Sequence, residues 1–188
     1  VIRSSPSTPF GRFEESWSAV SRPELLAGPV AAALGRWGGT GPGGSVLVVD
    51  TDPAVADTAA FSDTYGVPLD VSANCVVVAA RRGEKVTYAA CVALATTRVD
   101  VNSVVRKRLG ARKASFAPME TAVAETGMEY GGITPVGLPD GWPLLLDEAV
   151  VATPSVLIGS GLRRSKLILP GAALAGLPNA EVVTGLAR

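Results

Sequence analysis

The stretch 75–96 constrains the fold more than any other part of this chain. Cys75–Ala79 is a short apolar run, Arg81-Arg82-Gly83-Glu84-Lys85 is a polar turn centred on glycine, and Val86–Thr96 is a second Val-enriched run. Two β-prone runs joined so closely pair antiparallel, because a parallel pair needs a crossover of about a dozen residues or more. A regular doubly wound parallel sheet therefore does not fit. An α/β (α+β) chain with a mixed, curved or barrel-like sheet flanked by helices does.

The rest of the chain supplies elements around that hairpin. Residues 1–20 are polar and Ser/Pro-rich, with Phe10, Phe13 and Trp17 interspersed, and read as an arm that packs locally. Ser21-Arg22-Pro23-Glu24 has the form of a capping box and predicts a helix through about Gly35, with Leu25, Leu26, Val30 and Leu34 on its apolar face. Gly38–Gly44 reads as a flexible connector; no Gly-Lys-Ser/Thr follows, so it is not a phosphate loop. Ser45–Val49 predicts a buried strand. Asp52 with Pro53 opens a helix that carries Phe61 and Tyr65 and closes at Gly66. Asp100 caps a helix striped with Val101, Val104, Val105 and Leu109, Arg112–Phe116 is a short strand, and Pro118 opens a helix with Met119 and Val123 facing inward. Leu144–Asp147, Ser155–Ile158 and Lys166–Leu169 read as strands, and Glu181–Val183 as an edge strand. No internal repeat is present. The expected organisation is residues 1–45 as an arm, helix and Gly-rich connector, followed by one domain over 46–188.

Composition removes several classes of chemistry. The chain has 188 residues, of which 47% are apolar, enough for one domain with a real core. No apolar run approaches a membrane span and no signal-peptide pattern opens it, so a soluble, cytoplasmic protein is expected. It contains no histidine, which excludes Ser-His-Asp and Cys-His catalysis and histidine-ligated metals. Cys75 and Cys91 are too few for a zinc site; they flank the hairpin, lie opposite each other on its strands in this reading, and are expected to be buried thiols. No metal or cofactor is expected. Net charge is zero, but residues 1–70 carry four basic and eight acidic side chains and residues 71–188 carry thirteen and nine. That asymmetry points the second part towards an anionic partner.

One loop stands out chemically. Thr126–Gly137 holds four glycines and a proline within twelve residues. Glycine admits positive φ and close approach of a ligand to the main chain, and proline fixes the exit direction. Such a loop presents backbone N–H groups to an anionic or carbonyl oxygen.

In its surroundings this loop resembles a known family. The order is a strand hairpin, a helix ending Leu109-Gly110, Lys113-Ala114-Ser115-Phe116, Thr126-Gly127, the Gly131-Gly132-Ile133-Thr134-Pro135-Val136-Gly137 loop, the Asp147 strand and Gly159-Ser160-Gly161. It looks like the YbaK/aminoacyl-tRNA synthetase-associated domain, whose members include free-standing trans-editing deacylases and the insertion domain of bacterial prolyl-tRNA synthetases. The resemblance covers roughly residues 53–186. It implies a mixed, largely antiparallel six-stranded barrel-like sheet with surrounding helices. It also implies hydrolysis of the ester joining a wrong amino acid to a tRNA 3′ end beside the Gly131–Pro135 loop. An aminoacyl ester is already activated, so water can attack it provided that the water is positioned and the oxyanion stabilised. The resemblance assigns that work to backbone N–H groups around Gly131 and Gly132.

The pattern departs at one place. Many members carry a lysine on the first hairpin strand where this chain has Asn74, an amide that hydrogen-bonds but brings no charge. Asn74 is therefore either an active-site group or a strand-start residue satisfying backbone. Thr134 either donates a hydroxyl into the site or caps the turn, and Pro135 holds the loop shape. Asp147 is a pocket carboxylate or a solvated acid, and Gly159, Ser160 and Gly161 line the pocket or merely turn. Arg106, Lys107, Arg108, Arg112 and Lys113 form one basic cluster and Arg163, Arg164 and Lys166 another; they contact tRNA phosphates or are solvated faces. The implied partners are an aminoacyl-tRNA or its acceptor end, and an aminoacyl-tRNA synthetase, with no membrane. A catalytically inactive binding protein of the same fold, and a hydrolase for another small acylated metabolite, are the alternative readings.

Overall fold

In the computed structural model, the described residues are 7–37, 40–41 and 44–188. The hairpin forms as its sequence dictates: β5 (Ala73–Arg82) and β6 (Lys85–Leu94) pair antiparallel from Ala73↔Leu94 to Arg82↔Lys85. Gly83 takes the positive φ of its two-residue turn. Around it lies a five-stranded sheet in the order β11-β8-β6-β5-β7. Edge strand β7 (Lys113–Phe116) runs antiparallel to β5, while β8 (Leu144–Asp147) is parallel to β6 and to β11 (Ala180–Val183).

A second, wholly antiparallel sheet has the order β1-β4-β10-β9, from Ser16–Ser18, Leu47–Asp50, Ser165–Leu169 and Val156–Gly159. The mixed, largely antiparallel α/β class holds, with the strands divided between two sheets of four and five. They meet at an isolated parallel bridge, Ser72↔Leu157, which brings the start of β5 against β9. A small hairpin, β2 (Thr40–Gly41) with β3 (Gly44–Ser45), stands apart. The connector reading of Gly38–Gly44 falls partly outside the described residues, as does the start of the N-terminal arm.

The main core lies between the sheets. Val48, Leu167, Leu169 and Ile158 from one face Ala90, Val92, Leu144 and Leu146 from the other. Leu25, Val30 and Leu34 close one side of it, the last two from α1 (Gly28–Arg36). The outer face of the four-stranded sheet is covered by α2 (Thr58–Tyr65) through Phe61, with Phe10 and Phe13 packed alongside. The outer face of the five-stranded sheet is covered by a π-helical turn, Val101–Val105, that runs into α3 (Arg106–Arg108). The remaining helices are α4 (Met119–Thr126) and α5 (Glu148–Ala152).

Three local expectations are corrected. The Ser21 capping box does not form: Ser21 donates to Ser18 O, Pro23–Leu25 is a single 3-10 turn, and α1 begins at Gly28. Pro29 decides this, because a proline fits the first turn of a helix and breaks its interior. In α4 the buried residues are Ala122 and Thr126, and Met119 is 52% exposed. The two cysteines do not face each other. Cys75 stands opposite Val92 and Cys91 opposite Val76, so one residue of register places the thiols on opposite faces of the sheet.

Candidate active site

A cavity of about 500 Å³ opens where the two sheets meet. Its walls come from the residues leading into α2, the start of β5, the end of β7 with the start of α4, the glycine loop, and the ends of β9 and β10. Asn74, Gly131, Gly159 and Lys166 all line it, although they are spread over almost a hundred residues of sequence.

Asn74 is the second residue of β5, where the strand leaves the sheet bridge. Its Oδ1 accepts from Thr58 Oγ1 at 3.2 Å. Its NH2 group has no acceptor among the described residues. Thr58 begins α2, and Asp57, also in the cavity wall, precedes it.

The glycine loop is built by backbone packing. Gly132 N–H donates to Glu129 O at 2.9 Å, and Gly132 O accepts from Gly161 N–H at 2.7 Å. A Cβ at Gly132 would lie 2.7 Å from the Leu162 backbone, and one at Gly159 would lie 2.3 Å from Gly132 O. The Gly132 N–H therefore has a partner within the loop, and the expected oxyanion role does not fall to it. Glycine at 132 and 159 lets two protein loops approach each other. Arg163 ties the same region down: its backbone N–H donates to Glu129 Oε2, and its guanidinium donates to Tyr130 O at 3.2 Å and Pro53 O at 3.1 Å. Gly131, at φ 85°, is the loop glycine in the cavity wall.

Lys166 changes the electrostatics of this site. It is the second residue of the central strand β10, directly across from Gly159, and is only 7% exposed. Its Nζ donates to Gly131 O at 3.3 Å and lies 5.4 Å from the centre of the Phe61 ring. It makes no salt bridge with any described residue. Burial lowers its pKa to about 8, the Arg163 guanidinium adds to the lowering, and Asp57 opposes it. The sequence grouped Lys166 with Arg163 and Arg164 as a basic cluster; the structure sets it apart, because every residue of its strand is buried while Arg164 is exposed.

Other expected site residues lie elsewhere. Thr134 is fully buried, outside the cavity wall, and its hydroxyl has no hydrogen-bond partner among the described residues. Pro135 lines a separate cavity of about 260 Å³ beside Trp37 and Trp142. Asp147 caps α5: its Oδ1 accepts from Ala149 N–H and its Oδ2 from Ala187 N–H, each at 3.0 Å. Ser160 is fully buried and shares a hydrogen bond with Ser165 Oγ at 2.7 Å. Gly161, at φ 86°, donates its N–H to the glycine loop. Each was expected beside the ligand from the family resemblance, but helix capping, buried hydrogen bonds and tight turns aim it elsewhere.

The basic residues separate in the same way. Arg164 is exposed and pairs with Asp50 at 3.2 Å. Lys113 stands opposite Arg81 at one end of β7, and Phe116 at the other end lines the cavity. Lys107, Arg112 and Lys113 are exposed at the far end, Arg106 donates Nε–H to Asn102 O, and Arg108 pairs with Glu181. Sequence reasoning missed Asp57 and Thr58, and it missed the cavity rim of Phe116, Met119 and Tyr130, which are 60%, 52% and 58% exposed.

Comparison with known proteins bears on this site. A family model described as an aminoacyl-tRNA editing domain matches residues 52–177, a range that includes every cavity residue named above. No curated protein sequence matches the chain. Among solved structures, one described as a candidate trans-editing enzyme for prolyl-tRNA synthetase superposes with a TM-score of 0.69 at 22% identity, covering 84% of this chain and 94% of its own. A hypothetical protein superposes with a TM-score of 0.72 at 19% identity, covering 85% of this chain and 99% of its own. At these identities the structural likeness speaks for the fold.

Proposed function

Because this chain belongs to the aminoacyl-tRNA editing domain family, we propose that it hydrolyses the ester bond of mischarged aminoacyl-tRNA in the cavity between its sheets. The observation that carries this reading is the meeting of Asn74, Gly131 and Lys166, from three distant parts of the chain, in one cavity within the family-matched region. The activity is assigned to residues 46–188, whose sheet and core are completed by β1 and α1 from the preceding segment.

The chemistry follows from what the cavity offers. The Asn74 NH2 group donates to the ester carbonyl oxygen and strengthens that bond as negative charge develops there. Water adds to the carbonyl carbon, and the tetrahedral intermediate collapses by breaking the bond to the ribose oxygen. The water's proton passes to that oxygen, so the products are a free amino acid and a tRNA with a free terminal hydroxyl. The Thr58 hydrogen bond fixes the amide's orientation. Asp57 offers a carboxylate to the substrate's α-ammonium group. Losing one oxyanion donor costs on the order of 100-fold in rate.

Release of labelled amino acid from a panel of mischarged tRNAs tests this. The wild-type chain should turn over at least one of them, and Asn74→Ala should slow it about 100-fold with the fold unchanged by circular dichroism. Absence of turnover across the whole panel by folded wild-type protein would reject the reading in favour of a binding protein.

A further inference from the structure

Lys166 in the cavity wall and Arg163, which holds the adjoining Tyr130–Gly131 loop, have no salt bridge to a carboxylate among the described residues. Arg163 has carbonyl partners, Tyr130 O and Pro53 O, and Lys166 has one, Gly131 O. Burial disfavours the protonated form of Lys166, and repulsion from Arg163 adds to it. A charged amine that is 7% exposed, held without a counter-ion beside a second cation, is costly to a folded protein. The carboxylate facing it, Asp57 in the cavity wall, offsets only part of that charge. Among the described residues, Lys166 is the cationic side chain that lines the cavity.

We propose that Lys166, with Arg163 beside it, is the anion-binding group of this cavity and takes the phosphate attached to the 5′ oxygen of the nucleoside whose ribose bears the ester. This rests on the reading above and names the substrate group recognised. Phosphate is favoured over a carboxylate because an aminoacyl ester has none of its own, whereas the terminal nucleotide carries an anionic phosphate close to the ester-bearing ribose. The contact is charge-assisted and forms in a partly desolvated site, where such contacts are strong.

Adenosine 5′-monophosphate and adenosine are the probes, titrated separately into the full chain and followed by NMR. The wild type should bind the monophosphate at least ten-fold more tightly. Lys166→Met should erase the difference, and Lys166→Arg should restore part of it by keeping a cation at the same strand position. Raising the pH from 7 to 9.5 should weaken monophosphate binding by the wild type, since the amine loses its proton near pH 8. Adenosine binding, and binding by Lys166→Met, should stay level over that range. Equal binding of the two probes by the wild type, undetectable binding of both included, overturns the proposal. So does a preference for the monophosphate that survives in Lys166→Met. Deacylation without phosphate discrimination would refute this inference and keep the proposed function, and phosphate discrimination without deacylation would do the reverse.

Discussion

Lys166 shows how a single side chain exchanges stability for binding. Its ordinary value of 10.5 falls to about 8 in the folded chain, chiefly through burial. Below pH 8 both folded and unfolded chains carry the proton, and the folded state bears the full desolvation cost, on the order of 3 kcal/mol. Between pH 8 and 10.5 the unfolded chain binds more protons, so stability contributed through this group rises with pH. Lys166→Met should therefore raise stability by about 2–3 kcal/mol near pH 7. That advantage should shrink by pH 9.5. Urea unfolding of both chains at the two pH values measures it, and an equal gap at both would mean that the amine is not desolvated. Taking the difference cancels the thiols, since burial raises Cys75 and pushes Cys91 to about 12, which lowers stability as pH climbs above the ordinary thiol value of 9.0. Thr134 is a second residue at odds with its surroundings, a buried hydroxyl without a partner among the described residues. Thr134→Val keeps the shape and removes the orphan group, and thermal unfolding should show a gain of about 1 kcal/mol. A loss of that size would reveal a hydrogen bond at Thr134.

At the scale of elements, the site depends on two loops held together by backbone. The glycine loop and the β9–β10 turn are joined by the Gly161–Gly132 and Glu129–Gly161 hydrogen bonds, and Gly159 packs against the loop's carbonyls. Adding one methyl at 159 should force β9 from the loop and cost about 1–3 kcal/mol, because neither backbone can give way as a flexible side chain does. Gly35 is the contrast. It lies in α1 with nothing within 4 Å of the position a Cβ would take. Gly35→Ala should stabilise by about 0.5–1 kcal/mol, through the reduced entropy of the unfolded helix segment. Thermal unfolding of both variants separates a glycine needed for packing from one that is merely tolerated. The sequence marked the 126–137 loop as unusual but not the reason. Runs of glycine look the same whether a ligand or another loop comes close, and only the neighbour found in three dimensions distinguishes them.

For the whole molecule, edge strand β7 links the two surfaces that a tRNA would meet. Phe116 ends it at the cavity, and Lys113 starts it beside Arg81, Arg112 and the hairpin turn. Three residue steps separate them, roughly 10 Å of strand. A 3′ end seated in the cavity would thus leave the preceding nucleotides close to a basic surface. Replacing Lys107, Arg112 and Lys113 by alanine should raise KM for mischarged tRNA. It should also flatten the dependence of log affinity on log salt by about 2, at roughly 0.7–0.9 for each phosphate that is no longer neutralised. Filter binding at several salt concentrations reads the slope, and an unchanged slope would remove this face from the tRNA path. Within the described residues no helix is long and apolar enough to cross a membrane.

The sequence by itself determined that a hairpin forms around the Gly83 turn, most of the element types, and the mixed α/β class, because these follow from local periodicity and turn chemistry, whereas the register that sets Cys75 and Cys91 on opposite faces came from the structure. The sequence also excluded histidine chemistry and pointed to the family. Only the tertiary structure decided which of the marked residues share a cavity. Asp147 and Ser160 were themselves expected at the site, yet the fold commits their side chains to a helix cap and a buried hydrogen bond. Lys166 is remote from Asn74 in sequence and beside the same cavity in space. The position of a charge relative to a pocket depends on how two sheets pack. That packing is set by contacts between residues far apart in the chain, which no local pattern encodes.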